Sequence, residues 1–345
     1  MAKPATGVLS VFDLVARMAG ASPDPRYESD HRTGLCRAPA KEGSLSSIHR
    51  RGFRDEGGTA CTGPARSQGG ASPEWQEEGS MAHRVNLLGV EIDRVTMAEA
   101  TALIDGFISM GVPRRVVTVN LDYLRFACQD ETVRETINAA DLAVADGMPL
   151  VWASRLLAKP LPERVCGIDL SKRFAQLASA KGYSLFLLGG APGVAEAAAQ
   201  ALQTRYPGLR IAGTYAPPMG PFDAEEERKI ADTITAASPQ LLLVALGAPR
   251  QDLWLRQQLP ILGVPVAMGV GCTFDVLSGL LHRAPHWMQR YGLEWLYRLR
   301  QQPGHLWKRY LIHDMPVLLR LLAFALGRRS PGERRRHLLR GADES

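Results

Sequence analysis

Residues 114–149 read RRVVTVNLDYLRFACQDETVRETINAADLAVADGMP. RRVVTVN (114–120) is a short apolar run of strand length, rich in β-branched residues. Two helical stretches, 121–128 and 131–139, follow it and lead into a second short run, DLAVAD (141–146). Strand, helical crossover and strand within about thirty residues is the signature of a parallel pair. The alternation then continues with a helix at 149–157, a loop containing ERVCGID, and a helix at 170–181. Next come SLFLLGG (184–190), an Ala-rich helix, RIAGTY (210–215), a helix at 224–237, QLLLVALG (240–247), a helix at 251–258 and PVAMGVG (265–271). The pattern predicts six or so parallel strands: an α/β, Rossmann-like sheet with helices on both faces, over about residues 84–278.

Outside this core the texture changes. Residues 81–108, MAHRVNLLGVEIDRVTMAEATALIDGFI, predict a short strand, a turn and an amphipathic helix with Thr96 as N-cap and Glu99 three residues on. Residues 21–80 are rich in Gly, Ser, Pro, Arg and Asp and lack apolar periodicity. Residues 1–80 therefore read as a disordered extension without catalytic residues, and Met81 as a natural start. From 282 the chain runs HRAPHWMQRYGLEWLYRLRQQPGHLWKRYLIHDMPVLLRLLAFALGRR, a helical appendage dense in Trp, Tyr, Leu and Arg. Its last piece, residues 315–327, is thirteen residues long with Arg320 inside. That is too short to cross a bilayer and suited either to lying on one or to packing on the core. The expected division is a disordered 1–80, a core 81–280, an appendage 281–327 and a basic disordered tail 328–345.

Of 345 residues, 46% are hydrophobic and 22% charged, which excludes collagen, coiled coil and whole-chain disorder. The net charge of +6 lies entirely in residues 81–345, because residues 1–80 hold ten basic and ten acidic side chains. Six arginines crowd residues 328–345, which reads as a solvated tail or as a hold on an anionic surface. Cys36, Cys61, Cys128, Cys166 and Cys272 are widely spaced, so neither a zinc site nor a disulfide framework is indicated. The N-terminus lacks the pattern of a signal peptide, and no apolar stretch reaches ~20 residues. A soluble or peripheral protein of a reducing compartment is expected.

Ligands of open parallel sheets bind outside the carboxyl ends of the strands. Thr118 and Asn120 end one strand and alternate onto one side of it, suited to sugar hydroxyls or to capping the next helix. Asp146 ends the next strand before Gly147, and reads as a carboxylate facing the crevice or as a helix cap. Gly189, Gly190 and Gly193 lie in GGAPG between a strand and a helix, where backbone amides can take a phosphate or merely form a turn. Arg164, Arg250 and Arg283 lie near strand ends or the appendage and can pair with a diphosphate. G-x-G-x-x-G, Walker A, a nucleophile elbow and Asp-x-Asp are all absent.

Seven motifs in order carry a family resemblance. They are TVN (118–120), ADGMPLVWASR (145–155), PLPERVCGID (160–169), FLLGGAPGVA (186–195), VALGAPRQDLW (244–254), GVGCTFD (269–275) and RAPHWMQRYGLEWLYRL (283–299). Together they resemble the WecG/TagA/CpsF glycosyltransferases, family 26, over roughly residues 84–315. The resemblance implies inverting, metal-independent transfer of a sugar, typically N-acetylmannosamine or its uronic acid, from a UDP-sugar donor. The acceptor would be polyprenyl-diphosphate-linked, at the cytoplasmic face of the cell membrane, in cell-surface polysaccharide synthesis.

By the same resemblance Asp146 is the general base, and Thr118, Asn120, Arg164 and Gln251 line the pocket. Arginines of the appendage, Arg298 and Arg309 beside Arg283, would hold the diphosphate. The chain departs from the family pattern at Gln302-Pro303, where Glu-Pro is usual, and at His305, where Arg is common. No metal or cofactor is expected, and no nucleic acid partner, since the basic excess is confined to the appendage and tail. A homo-oligomer is left open. The alternative reading is a nucleotide-binding Rossmann oxidoreductase or regulatory module, which would call for the missing G-x-G-x-x-G.

Overall fold

A computed structural model describes residues 84–327; the extension expected at 1–80 and the tail expected at 328–345 lie outside the described residues. Strands β3 (Arg114–Val119), β4 (Leu142–Ala145), β5 (Ser184–Gly189), β6 (Arg210–Tyr215), β7 (Leu241–Ala245) and β8 (Val266–Gly269) form one sheet in the order β4-β3-β8-β7-β5-β6. Every pairing in it is parallel. Strands β4, β5 and β8 are buried on both faces, which is why they read as continuous apolar runs rather than as an alternation, while the edge strand β6 is only partly buried.

The two-residue period sorts their side chains. Val116, Val144, Leu187, Leu243 and Met268 face helices α1 (Met97–Met110), α5 (Gly167–Lys181), α6 (Val194–Arg205) and α9 (Thr273–Leu277). Val117, Val119, Ala143 and Ala145 face α2 (Leu121–Gln129), α3 (Glu131–Asn138) and α4 (Met148–Leu156). Phe186, Leu242, Val244 and Ala267 face α7 (Ala224–Ala237) and α8 (Arg250–Leu262). The Rossmann-like sheet covered on both faces is therefore present, with six strands.

At the N-terminal end the expected single strand is instead a hairpin, β1 (Arg84–Leu87) with β2 (Val90–Asp93), forming its own two-stranded antiparallel sheet. Leu88 and Gly89 turn the chain with φ of 56° and 92°. Val85, Leu87, Val90 and Ile92 are buried beside α2–α4; Arg84 pairs with Asp93 across the hairpin at 2.7 Å, and the two tie it to the core, Arg84 by donating to the Ala140 carbonyl at 3.1 Å and Asp93 by accepting from the Ala143 N–H at 2.8 Å. Thr96 caps α1 as expected, in a reciprocal box with Glu99.

The appendage comprises α10 (His286–Arg290), α11 (Glu294–Gln301), α12 (Pro303–Trp307), a π-helical turn (Lys308–Asp314) and α13 (Met315–Gly327). The last two run on as one helix, Lys308–Gly327, of 20 residues, long and apolar enough to cross a membrane by length and composition. This corrects the expectation that no stretch reaches that length. The wide turn lies just ahead of Pro316, whose ring and missing N–H would strain a regular ladder. Leu321 and Ala325 are fully buried against the core, while Leu311, Ile312, Leu319 and Leu326 lie exposed.

Candidate functional site

The chain leaves β3 toward β4 at one edge, whereas its neighbour β8 is reached from β7 on the other side. The crevice of such a sheet opens where the order reverses, outside the carboxyl ends of β3 and β8. Thr118, 5% exposed, donates its hydroxyl proton to the Gly269 carbonyl across that boundary at 3.1 Å. Asn120 accepts from the Asp122 and Tyr123 amides, so its side chain caps α2.

Asp146 stands just past β4, its N–H bonded to the Val119 carbonyl at 2.7 Å. Its carboxylate does not cap α4, whose N-cap Gly147 has no side-chain bond. It accepts instead from the Gly167 N–H at 3.2 Å, at the first turn of the fifteen-residue α5, where the helix dipole favours a negative charge. A Cβ on Gly167 would lie 3.2 Å from Thr118 Cγ2 and 3.6 Å from Asp146 Oδ2, so glycine there keeps the three groups together. Burial pushes the Asp146 carboxyl above its ordinary value, restrained by the Gly167 N–H and by the charges of Arg164 and Arg298. A half-buried carboxylate of raised pKa is a stronger base than a solvated one.

Three of the expected arginines gather beside it around one carboxylate. Glu294, on α11, is 9% exposed and pairs with Arg164 at 2.8 Å, Arg283 at 3.4 Å and Arg298 at 3.6 Å. Burial would raise its pKa, but the three guanidiniums outweigh that and hold it below the usual glutamate value. Arg283 is engaged at all three nitrogens, by Glu294, by both oxygens of Asp169 and by the Cys166 sulfur. Arg164 gives one hydrogen bond, to Glu294, and Arg298 one, to Cys272 Sγ at 3.1 Å. Since each guanidinium carries five N–H donors, Arg164 and Arg298 keep capacity for an anion, and Arg283 is the pin.

Gln251 is 1% exposed, beneath the glycine turn that ends β8. Its Nε2 donates to the Tyr123 hydroxyl at 2.8 Å and its Oε1 accepts from the Gly271 N–H at 3.2 Å. Both ends of the carboxamide are thus spent on shaping the turn. A Cβ on Gly269 would come within 2.6 Å of Gln251 Nε2 and 2.8 Å of Asp252 Oδ1, so only glycine fits there. Tyr123 donates in turn to Asp252, whose carboxyl is pushed up to about 6 by burial against the restraint of Tyr123 and Arg115.

The remaining candidates lie elsewhere. Gly189, Gly190 and Gly193 have φ of 106°, 78° and 82°, and Gly193 opens α6. A Cβ on Gly189 would collide with the Ala245 carbonyl, so close strand packing alone accounts for that glycine. The loop ends β5, which β3, β8 and β7 separate from β4. Arg250 stacks on the Phe222 ring at 4.1 Å, outside the arginine cluster. Arg309 pairs with Asp122 at 2.8 Å and Asp314 at 3.8 Å, and Arg125 joins the same two aspartates. Among the described residues no group of three or more His, Cys, Asp or Glu side chains is placed to hold a metal ion.

Sequence reasoning missed Glu294, Asp169, Tyr123 and Asp252. Glu294 and Arg298 stand four apart in GLEWLYRL, a spacing that reads as an exposed helix pair. Its contact with Arg164, 130 positions earlier, exists only in the fold.

The WecG/TagA/CpsF glycosyl transferase family model matches residues 85–331. The chain is 32% identical over 252 residues to the N-acetylglucosaminyldiphosphoundecaprenol N-acetyl-beta-D-mannosaminyltransferase of Staphylococcus aureus strain MW2, covering 72% of this chain and 96% of the relative. Proteins of the same name from strains NCTC 8325 and COL match to the same extent. With a six-stranded parallel sheet whose crevice holds a half-buried carboxylate beside gathered arginines, and with that match over most of its length, the chain belongs to the WecG/TagA/CpsF glycosyltransferase family.

Proposed function

We propose that the protein transfers N-acetylmannosamine, or a related hexose or uronic acid, from a UDP-sugar to a polyprenyl-diphosphate-linked acceptor with inversion. The observation that carries this reading is Asp146 at the switch point of the sheet, its pKa raised, facing Arg164 and Arg298. The acceptor hydroxyl attacks the anomeric carbon from the side opposite the diphosphate, and Asp146 takes its proton as the new C–O bond forms. The bond from the anomeric carbon to the diphosphate oxygen breaks, and UDP leaves with the electron pair. Arg164 and Arg298 stabilise the charge growing on that oxygen, the task a metal performs in other sugar-nucleotide enzymes. Thr118 and Asn120 border the sugar position, and Gln251 fixes the turn beneath it. The name of the relatives supports the N-acetylmannosaminyl donor and the N-acetylglucosaminyl-diphosphoundecaprenol acceptor.

We place the protein peripherally on the cytoplasmic face of the membrane. The Lys308–Gly327 helix supports this by leaving Leu311, Ile312, Leu319 and Leu326 exposed beside Lys308 and Arg320. Spanning the bilayer would strip Leu321 and Ala325 from the core, so the helix lies along the headgroups instead. The test is a transfer assay with a panel of UDP-sugars and a short polyprenyl-diphosphate-linked N-acetylglucosamine, with and without EDTA. UDP-N-acetylmannosamine should give inverted product at an EDTA-insensitive rate. Inhibition reversed by magnesium or manganese, or turnover with no UDP-sugar, would overturn the proposal.

A further inference from the structure

Helices of the core dock through apolar side chains, but the one buried residue of α11 is an acid, Glu294. It reaches Arg164 from the loop ahead of α5, Arg283 from the loop after α9, and Arg298 one turn along its own helix. A buried carboxylate with a single partner would pay heavily for lost hydration, and three guanidiniums brought together without an anion would repel one another. Each side of the cluster therefore needs the other.

We propose that Glu294 is a positioning residue for the transfer reaction: by gathering Arg164 and Arg298 on one carboxylate it fixes, beside Asp146, the cation pair that grips the donor's diphosphate. This rests on the reading of the crevice as a UDP-sugar site. Arg283, spent at every nitrogen, anchors the cluster to Asp169 and does not contribute to the grip. Among the described residues, Arg164 and Arg298 share the carboxylate with donor N–H groups to spare. Loss of the carboxylate scatters the guanidiniums although it raises the net positive charge. The proposal thus predicts weaker anion binding where simple charge counting predicts stronger.

The experiment measures UDP binding by titration calorimetry, kcat, donor KM and the melting midpoint for the full chain, E294Q and E294D. E294Q should bind UDP about tenfold more weakly and lose more in kcat than in KM, because the leaving diphosphate gains charge in the transition state. E294D keeps the charge and should stay within about threefold of wild type in binding, with the core's melting midpoint unchanged in both. UDP binding by E294Q equal to or tighter than wild type would overturn the positioning role. So would equal losses in E294Q and E294D that follow a common fall in melting midpoint. Should E294Q fail to fold, E294D alone decides: UDP binding more than tenfold weaker, in step with a lowered midpoint, overturns the role. A wild-type chain that binds no UDP would overturn the UDP-sugar reading itself and this proposal with it.

Discussion

Ile104, Phe174 and Leu255 lock core helices to the sheet at 0% exposure, whereas α11 reaches the same crevice through Glu294 and its arginines. Apolar burial involves no charge and does not titrate, whereas ion clusters weaken with salt screening and respond to acid. Within the appendage the contrast repeats, since α13 seats Leu321 and Ala325 in the core while Asp314 joins Arg125 and Arg309. The sheet that positions Asp146 is thus held by uncharged contacts, whereas Arg283 and Arg298 are held beside it by charge pairs that respond to salt and acid.

The largest effect should come from the core. Asp146→Asn should lower turnover by roughly a hundredfold or more while UDP binding persists, as loss of a base leaves the pocket's shape intact. Activity within a few-fold of wild type would remove Asp146 from the mechanism. Because the Asp146 pKa is raised, the acid limb of the wild-type rate profile should lie above the ordinary carboxylate range.

The appendage surface should matter less and differently. Replacing Leu311, Ile312, Leu319 and Leu326 together with Ser spares Leu321 and Ala325, so the melting midpoint should hold. Sedimentation with anionic vesicles should fall about tenfold, and turnover of a long-chain acceptor more than that of a short soluble one. The wild-type association should weaken with salt, each nearby cation contributing ~1 kcal/mol at an anionic surface. Unchanged sedimentation of the quadruple variant would contradict membrane docking by this face.

The smallest effect concerns Asp314, whose carboxyl is pushed up to about 6 by burial and by the nearby Asp122, against Arg309 and Arg125. A carboxyl with a folded pKa above its unfolded value holds its proton more tightly when folded. Its contribution to stability is full below the unfolded pKa of ~3.9 and is lost as pH rises through 6. Melting midpoints measured between pH 4 and 7 should therefore show a downward component that Asp314→Asn removes, worth about 3 kcal/mol at most. An identical slope in the variant would show that Asp314 is not its source.

Much of this architecture was legible because strands such as Leu241–Ala245 are short apolar runs, and helices such as Ala224–Ala237 end where the reading placed them. The hairpin was not, because its turn uses Leu88 in the left-handed region rather than an Asn-Gly or Asp-Gly pair. The last helix was cut short at Met315 because Asp314 and Pro316 look like a helix start, yet Asp314 is paired and the wider turn continues into α13. At the candidate site, the reading put Asp146 and Thr118 at strand ends, and the structure has them there. Glu294 could not, since a charge four residues from an arginine looks solvated until the fold brings Arg164 to it. Gln251, named through the family resemblance, lies beneath the β8 turn, which its carboxamide supports.

Under the proposed function, the core's Asp146 and the appendage's Arg298 form one catalytic unit. It is tested by kcat for Asp146→Asn, Arg298→Ala and the double variant. Residues that serve one transition state lose rate non-additively, so the double variant should be hardly slower than Asp146→Asn alone. A double variant whose loss equals the product of the two single losses would show that the appendage acts independently of Asp146, and would contradict the account.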